Sequence, residues 1–240
     1  MAECYGPAVA FDGMNYLVVW HDYRNDGMGY NIRGSRVSAS GEVLDPDAIA
    51  VSSAPGNQIY PAIAFDGTDY FVAWSDARNG GANDIYAARI TQSGQVIDPE
   101  GIAISVVGGD QSSPAVAFDG TNYFVTWQDG RSQVSSDIYG ARVSSSGAVL
   151  DSIPITISTS MYLQSEVTLV YGGMSCMAVW TDRRNGNDSD VFASRLDQAG
   201  HVIDPDGIAV SMAASNQMGP ASWSTVVRFC GGPPARRLPS

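Results

Sequence analysis

Pro61 to Gly94 reads PAIAFDGTDYFVAWSDARNGGANDIYAARITQSG, and Pro114 to Gly147 repeats it as PAVAFDGTNYFVTWQDGRSQVSSDIYGARVSSSG. Pro7 to Gly41 and Val167 to Gly200 are looser copies. Trp20, Trp74, Trp127 and Trp180 mark a period of about 53 residues. So do Arg36, Arg89, Arg142 and Arg195, the turn glycines Gly41, Gly94, Gly147 and Gly200, and the series Gln58, Gln111, Gln164, Gln217. A period near 50 residues points to a propeller or a similar array, in which one supersecondary unit buries its faces against its neighbours.

Each copy reads as four short strands. The first is Pro-Ala-Val-Ala-Phe, with small side chains at alternate positions. Asp-Gly-Thr-Asn then signals a hairpin. The second, such as Tyr70 to Trp74, is apolar on both faces, so it lies centrally and is covered on both sides. The third is Asp-Ile-Tyr-x-x-Arg-Val, as at Asp137 to Val143. The fourth runs from Gly94 to Ser105, and Pro99 within it suits an edge. No stretch shows a sustained helical period. The sequence therefore predicts an all-β fold: a β-propeller of four blades, each of four antiparallel strands.

Composition agrees. Of the 25 acidic residues only four are Glu, and all 13 basic residues are Arg. Asp serves turns where Glu serves helices. A net charge of −12 without a basic stripe argues against nucleic acid or an anionic membrane as partner. Without lysine there is no Schiff-base chemistry and no P-loop. No apolar run approaches a membrane span. The opening MAECYGPAVAFDG lacks the regions of a signal peptide, while a secreted or periplasmic full-length form stays compatible with the text. Cys4, Cys176 and Cys230 have no metal-ligand spacing. A Cys4–Cys230 disulfide joining the ends is one reading, and three free thiols is the preferred one.

The stretch from Pro61 resembles the TolB-type, WD-repeat-like propeller unit. It has a Pro-initiated inner strand, an Asp-Gly hairpin, an apolar strand ending in Ser-Asp-x-Arg, a glycine-containing loop and Asp-Ile-Tyr. The likeness covers three strands of each unit and departs at the fourth. It implies fold and register and no chemistry.

The units span residues 4–57, 58–110, 111–163 and 164–216, as one domain. Unit four is degenerate: Tyr171-Gly172-Gly173 stands for the Phe-Asp-Gly hairpin, and Cys176 for the strand tyrosine. A partial fifth unit covers 217–230, and a Pro- and Arg-rich tail, read as disordered, covers 231–240. A closed four-bladed monomer is preferred. The other arrangement is an incomplete ring from a longer repeat protein that closes as a dimer.

The recurring polar residues divide by role. Turn arithmetic sets Arg89 opposite Asp98, with Arg36–Asp45, Arg142–Asp151 and Arg195–Asp204 alike, as structural cross-strand pairs. Asp22, Asp76, Asp129 and Asp182 end the second strands. Arg24, Arg78, Arg131 and Arg184 follow two residues later. The preferred role of these Asp is to brace loops, with each Arg bridging to the Asp before Ile-Tyr. The functional alternative is a ring of the four carboxylates holding Ca²⁺ near the axis. Gln58, Gln111 and Gln164 are expected to rim the axis on the same face.

Differences between copies are the better guide to a site. The residue after the Trp varies: His21, Ser75, Gln128, Thr181. Unit one gathers His21, Tyr23, Arg24 and Arg33, with Asn31 and Arg33 replacing the usual Asp and Tyr. Three functions follow as expectations. One is a ligand-binding propeller recognising a carbohydrate, other small molecule or protein through these loops, with several similar sites if the units are equivalent. Another is a divalent-metal-assisted hydrolase with His21 as base. The third is a structural piece of a longer repeat protein. No nucleophile–base–orienter trio can be assembled.

Overall fold

The computed structural model describes residues 3–23, 29–186, 188–213 and 216–220. Within them the chain forms sixteen strands in four antiparallel sheets and no helix, so none long and apolar enough to cross a membrane. Blade one holds β1 (Glu3–Phe11), β2 (Asn15–Tyr23), β3 (Tyr30–Ser38) and β4 (Ile49–Ser52). Blade two holds β5 (Gln58–Phe65), β6 (Asp69–Asp76), β7 (Asp84–Thr91) and β8 (Ile102–Ser105). Blade three holds β9 (Gln111–Phe118), β10 (Asn122–Asp129), β11 (Asp137–Ser144) and β12 (Ile155–Ser158). Blade four holds β13 (Gln164–Tyr171), β14 (Cys176–Asp182), β15 (Asp190–Leu196) and β16 (Ile208–Ser211). Strands follow chain order from inside to outside in every sheet. The predicted four-bladed, four-stranded propeller architecture is what the chain builds.

The fourth strand is shorter than the sequence reading. After the third-strand hairpin only one bridge forms, as at Ile90 with Val96, and the chain then turns before β8. Pro99 has no N–H for a ladder, and Gly101, at φ +78°, closes the turn by donating to Asp98 O at 3.0 Å.

The core lies between blades. Leu17, Val19, Ile32 and Val51 of blade one meet Tyr70, Val72, Trp74 and Ile90 of blade two. The same positions recur in the next two joints, where Tyr123 stacks on Phe71 at 4.4 Å and Trp180 packs with Phe124 and Ile138. This explains the apolarity of both faces of β6 and β10: each face fills a different joint. Burial of this kind contributes roughly 25 cal/mol per Å² of apolar surface, so the joints dominate stability.

The Arg–Asp pairs form as the turn arithmetic predicts. Arg89 donates from Nε and Nη2 to Asp98 at 2.8 and 2.9 Å, and Arg36–Asp45, Arg142–Asp151 and Arg195–Asp204 repeat the fork. Each pair lies within one blade. The first three arginines also reach across the joint, donating from Nη1 to the turn carbonyls of Gln92, Ser145 and Gln198.

Inner strands pack in succession, β1 on β5, β5 on β9 and β9 on β13. Among the described residues β13 has no comparable packing on β1, so four blades make an arc and the preferred closed ring is not formed. The fifth unit keeps register at its start. Gln217 N–H donates to Ser189 O at 2.7 Å, as Gln164 does to Ser136 O and Gln111 to Asn83 O. Residues 221–240, with Trp223, Cys230 and the tail, lie outside the described residues. Cys4 and Cys176 are free thiols, and burial pushes the Cys176 thiol up to about 12.

Candidate functional site

The loops after the second strand and the links between blades share one face of the arc. Asn57 and Asp110, in the links, accept the backbone N–H groups of Tyr30 and Asn83, which end the loops. On this face each inner strand carries a β-bulge, between Tyr5 and Ala8, Ile59 and Ala62, and Ser165 and Thr168, with a like shift in blade three. One residue of each bulge is left-handed: Gly6 (φ +59°), Tyr60 (+56°), Ser113 (+54°) and Glu166 (+56°), then Gly219 (+65°) at the start of unit five. A non-glycine residue there is strained, and bulges re-aim side chains. The bulge N–H finds the variable residue after a Trp. Tyr60 N–H donates to His21 Nδ1 at 3.4 Å, and Ser113 N–H to Ser75 Oγ at 3.1 Å. Glu166 Oε2 accepts both the Thr181 hydroxyl and the Gly219 N–H, at 2.8 and 2.7 Å.

The asymmetry of unit one becomes a hollow of about 370 Å³ at the joint of blades one and two, lined by Tyr5, Gly6, His21, Tyr30, Asn57, Ile59 and Tyr60. Three tyrosine rings surround the imidazole, with centroids 5.8 Å (Tyr5), 5.4 Å (Tyr30) and 5.7 Å (Tyr60) from it. Tyr23 extends the group by packing on Tyr30 at 5.5 Å. Gly6 lets the ring sit close: a Cβ there would stand 3.1 Å from His21 Cε1, and the imidazole would have to shift to admit it. His21 is buried, and desolvation pulls its pKa below the ordinary value against the opposing charge of Asp22. Nδ1 accepts from Tyr60 N–H, so the proton of the neutral ring sits on Nε2, which makes the imidazole a hydrogen-bond donor.

Stability should therefore fall as pH drops from 7 toward 5. The folded-state pKa of His21 lies below its unfolded value near 6.5, so the unfolded chain takes the proton first and the contribution is lost as pH falls through the folded pKa. The Asp45, Asp98, Asp151 and Asp204 carboxyls are held below the ordinary range and act only at lower pH. Thermal midpoints between pH 8 and 5 should drop for the native chain and flatten for His21→Asn.

The other expected site residues are placed differently. Strand alternation puts His21 and Tyr23 on one face of β2 and Asp22 on the other. Arg33 lies opposite Trp20 with Nε 3.7 Å from Asp22 Oδ1, so it does not join the hollow. Arg24 lies outside the described residues. Gln58, Gln111 and Gln164 are fully buried and do not rim the axis. Gln58 and Gln111 donate to loop carbonyls at Gly56 and Gly109, and Gln164 to Asp182, tying blade links to blades.

Asp76, Asp129 and Asp182, at the ends of β6, β10 and β14, are clasps. Asp129 Oδ2 accepts the Trp127 indole N–H at 2.8 Å and Arg131 Nη2 at 2.6 Å, and Oδ1 accepts Arg131 N and Nε. Asp76 and Asp182 accept the same indole and arginine donors. Burial works against ionising Asp182, but the Arg184 and Trp180 donors hold its carboxyl below the ordinary range. The arginine also stacks at 3.9 Å over Tyr86, Tyr139 or Phe192. It thus bridges back to the Asp of its own motif, whereas the Asp opening the third strand is held by other donors: Asn79 at Asp84 (2.7 Å), Asn185 at Asp190 (2.6 Å) and the Ser160 N–H at Asp137 (3.2 Å). These carboxylates are spent on neighbours, each inside its own blade. Among the described residues no three His, Cys, Asp or Glu side chains gather to hold a metal ion, so the expected calcium ring of Asp22, Asp76, Asp129 and Asp182 is not assembled.

Tyr5, Tyr30, Asn57 and Tyr60 were missed by sequence reasoning. The signal available was the residue at the bulge position of each inner strand, which is glycine in Gly6-Pro7 and Gly219-Pro220, Tyr60 and Ser113 before the prolines of units two and three, and Glu166 before Val167 in unit four. A glycine alternating with larger residues marks a positive-φ position.

No family model and no curated protein sequence matches the chain. Solved structures match in fold. A thermostable family-43 glycoside hydrolase aligns with a TM-score of 0.57 at 9% identity, covering 90% of this chain and 75% of that one. An endo-arabinase from Bacteroides thetaiotaomicron gives 0.57 at 10%, over 88% and 81%. The Cellvibrio cellulosa α-L-arabinanase in complex with arabinohexaose gives 0.50 at 12%, over 83% and 76%. The likeness supports the β-propeller fold, and it does not support the TolB type to which the repeat text points.

Proposed function

We propose that this chain binds a carbohydrate, of the arabinan class, in the tyrosine-lined hollow of blade one. The observation that carries this reading is the set of three tyrosine rings around a neutral, donor-bearing imidazole, with Asn57 beside it. Flat aromatic faces suit the C–H faces of a sugar ring, while a few polar groups fix its hydroxyls. Structural neighbours that act on arabinose polymers support the choice of sugar.

Binding is preferred to hydrolysis for a reason in the residues. Glycoside hydrolysis ordinarily needs two carboxyl groups across the scissile bond. Of the bulge residues Gly6, Tyr60, Ser113 and Glu166 and the residues after each second-strand Trp, His21, Ser75, Gln128 and Thr181, only Glu166 is a carboxylate. Titration with arabino-oligosaccharides by calorimetry tests the reading. Tyr60→Ala should weaken binding at least tenfold, with no reducing sugar released by either protein. Sugar release abolished by Glu166→Gln would favour a hydrolase instead. Unchanged affinity in Tyr60→Ala would sink the proposed site.

A further inference from the structure

We propose that blade three carries a second binding site, for a primary ammonium group. A hollow of about 300 Å³ opens there on the loop face, with Asp110, Ser112, Gln128, Gln133, Val134 and Ser136 in its lining and no tyrosine or basic side chain. Departures from the repeat gather in it. Asn57 and Asn216 hold the place of Asp110 in their own links and accept the N–H of Tyr30 and Ser189 through an amide oxygen. Asp110 Oδ1 does the same for Asn83, taking its N–H at 3.0 Å and its side-chain amide at 2.8 Å. An amide suffices for that bond, so the carboxylate adds a charge that the link does not need. Gln133 occupies a left-handed turn position that is glycine in units two and four (Gly80, φ +72°, and Gly186, φ +97°), and all three donate to the carbonyl three residues back. At φ +57° a glutamine is strained, and such strain gathers at functional sites. Val134 beside it is 85% exposed.

The strands bring the polar groups together. Ser112 lies opposite Gln128 in the register of β9 and β10. Alternation puts Asp110 on the side of Ser112, while Gln111 between them turns into the core. The Ser136 hydroxyl donates to Gln164 O at 2.8 Å, so it accepts from Gln128 Nε2 at 3.0 Å and leaves Gln128 Oε1 as an acceptor. Asp110 Oδ2 and the Ser112 hydroxyl have no partner among the described residues. Three acceptors, one of them charged, thus line the hollow. Arg131, the nearest cation in sequence, is held by Asp129 at 2.6 Å and stacked on Tyr139. A primary ammonium brings three N–H donors and one compact positive charge. A guanidinium pairs best with both oxygens of a carboxylate, and Asp110 Oδ1 is already taken twice. The net charge of −12 draws cations to the chain, and Val134 gives the carbon stem of the ligand an apolar rest.

Amino sugars and lysine side chains both carry this group, and the test separates them. Glucosamine and Nα-acetyl-lysine amide are titrated into the whole chain by calorimetry, each against its N-acetylated, uncharged analogue. At least one amine should bind about tenfold tighter than its analogue, the worth of a charge-assisted hydrogen bond, and the tighter of the two names the source. Asp110→Asn keeps an acceptor for Asn83, so it should leave the thermal midpoint within about 1 °C of the native value and lower amine affinity about tenfold. Asp47→Asn, at an exposed carboxylate of blade one, should leave affinity unchanged. An arabino-oligosaccharide has no ammonium group, so the sugar hollow and this site answer to different titrants. Neither amine binding, analogues that bind as well as the amines, or unchanged affinity in Asp110→Asn would each overturn the proposal. So would an equal loss in Asp47→Asn, which would show diffuse attraction to an acidic surface.

Discussion

Asp129→Ala is expected to lower stability by about 3–5 kcal/mol, the cost of leaving one member of a buried ion pair without the other. The carboxylate is fully buried and takes donors from Trp127 and from three atoms of Arg131. Its removal strands the indole N–H and a guanidinium stacked on Tyr139. For a chain of this size the thermal midpoint should fall by roughly 10 °C. Asp129→Asn keeps an acceptor for the indole but no charge for the arginine, so it should fall between. A loss under about 1 kcal/mol for the alanine variant would show that the clasp does not brace the blade. It would reopen these aspartates as candidates for a ligand.

Gly56→Ala carries the second large effect. Gly56 has φ +81°, and a Cβ there would lie 2.7 Å from Ala77 O and 3.0 Å from Ala77 C, backbone atoms of the next blade. The left-handed conformation alone costs an alanine about 1–2 kcal/mol, and the clash adds to it, so at least ~2 kcal/mol is expected. Equilibrium unfolding in urea reads this directly. Gly56 precedes Asn57, so displacing this link should also weaken sugar binding. Gly67→Ala is the control: its φ is also positive, but nothing lies within 4 Å of the added carbon, so it bears the conformational cost alone.

Much of the fold was legible because the same physics repeats. Apolarity on both faces of Tyr70–Trp74 and Tyr123–Trp127 announced central strands filling two joints, and spacing alone set Arg89 against Asp98. What stayed hidden depends on geometry across blades. Local pattern does not show whether the last inner strand meets the first, and among the described residues β13 does not pack on β1. Buried glutamines looked like rim residues because a head-of-strand position does not reveal which way the side chain turns. The site was half visible. The odd residues of unit one led to His21 and Tyr23. Tyr5 and Tyr60, however, come together only because a bulge left-handed at Gly6 and Tyr60 turns two inner strands toward one imidazole. Arg33, equally odd in sequence, lies on the opposite face of the same sheet.

The central claim is that the imperfect first copy holds the binding site while the regular copies hold the blades together. Isothermal titration with an arabino-oligosaccharide, read for stoichiometry, tests it most directly. One site per chain, lost in Tyr60→Ala and kept in Ser113→Ala at the equivalent bulge of blade three, is the predicted result. Four equivalent sites per chain, or one site indifferent to Tyr60, would contradict it.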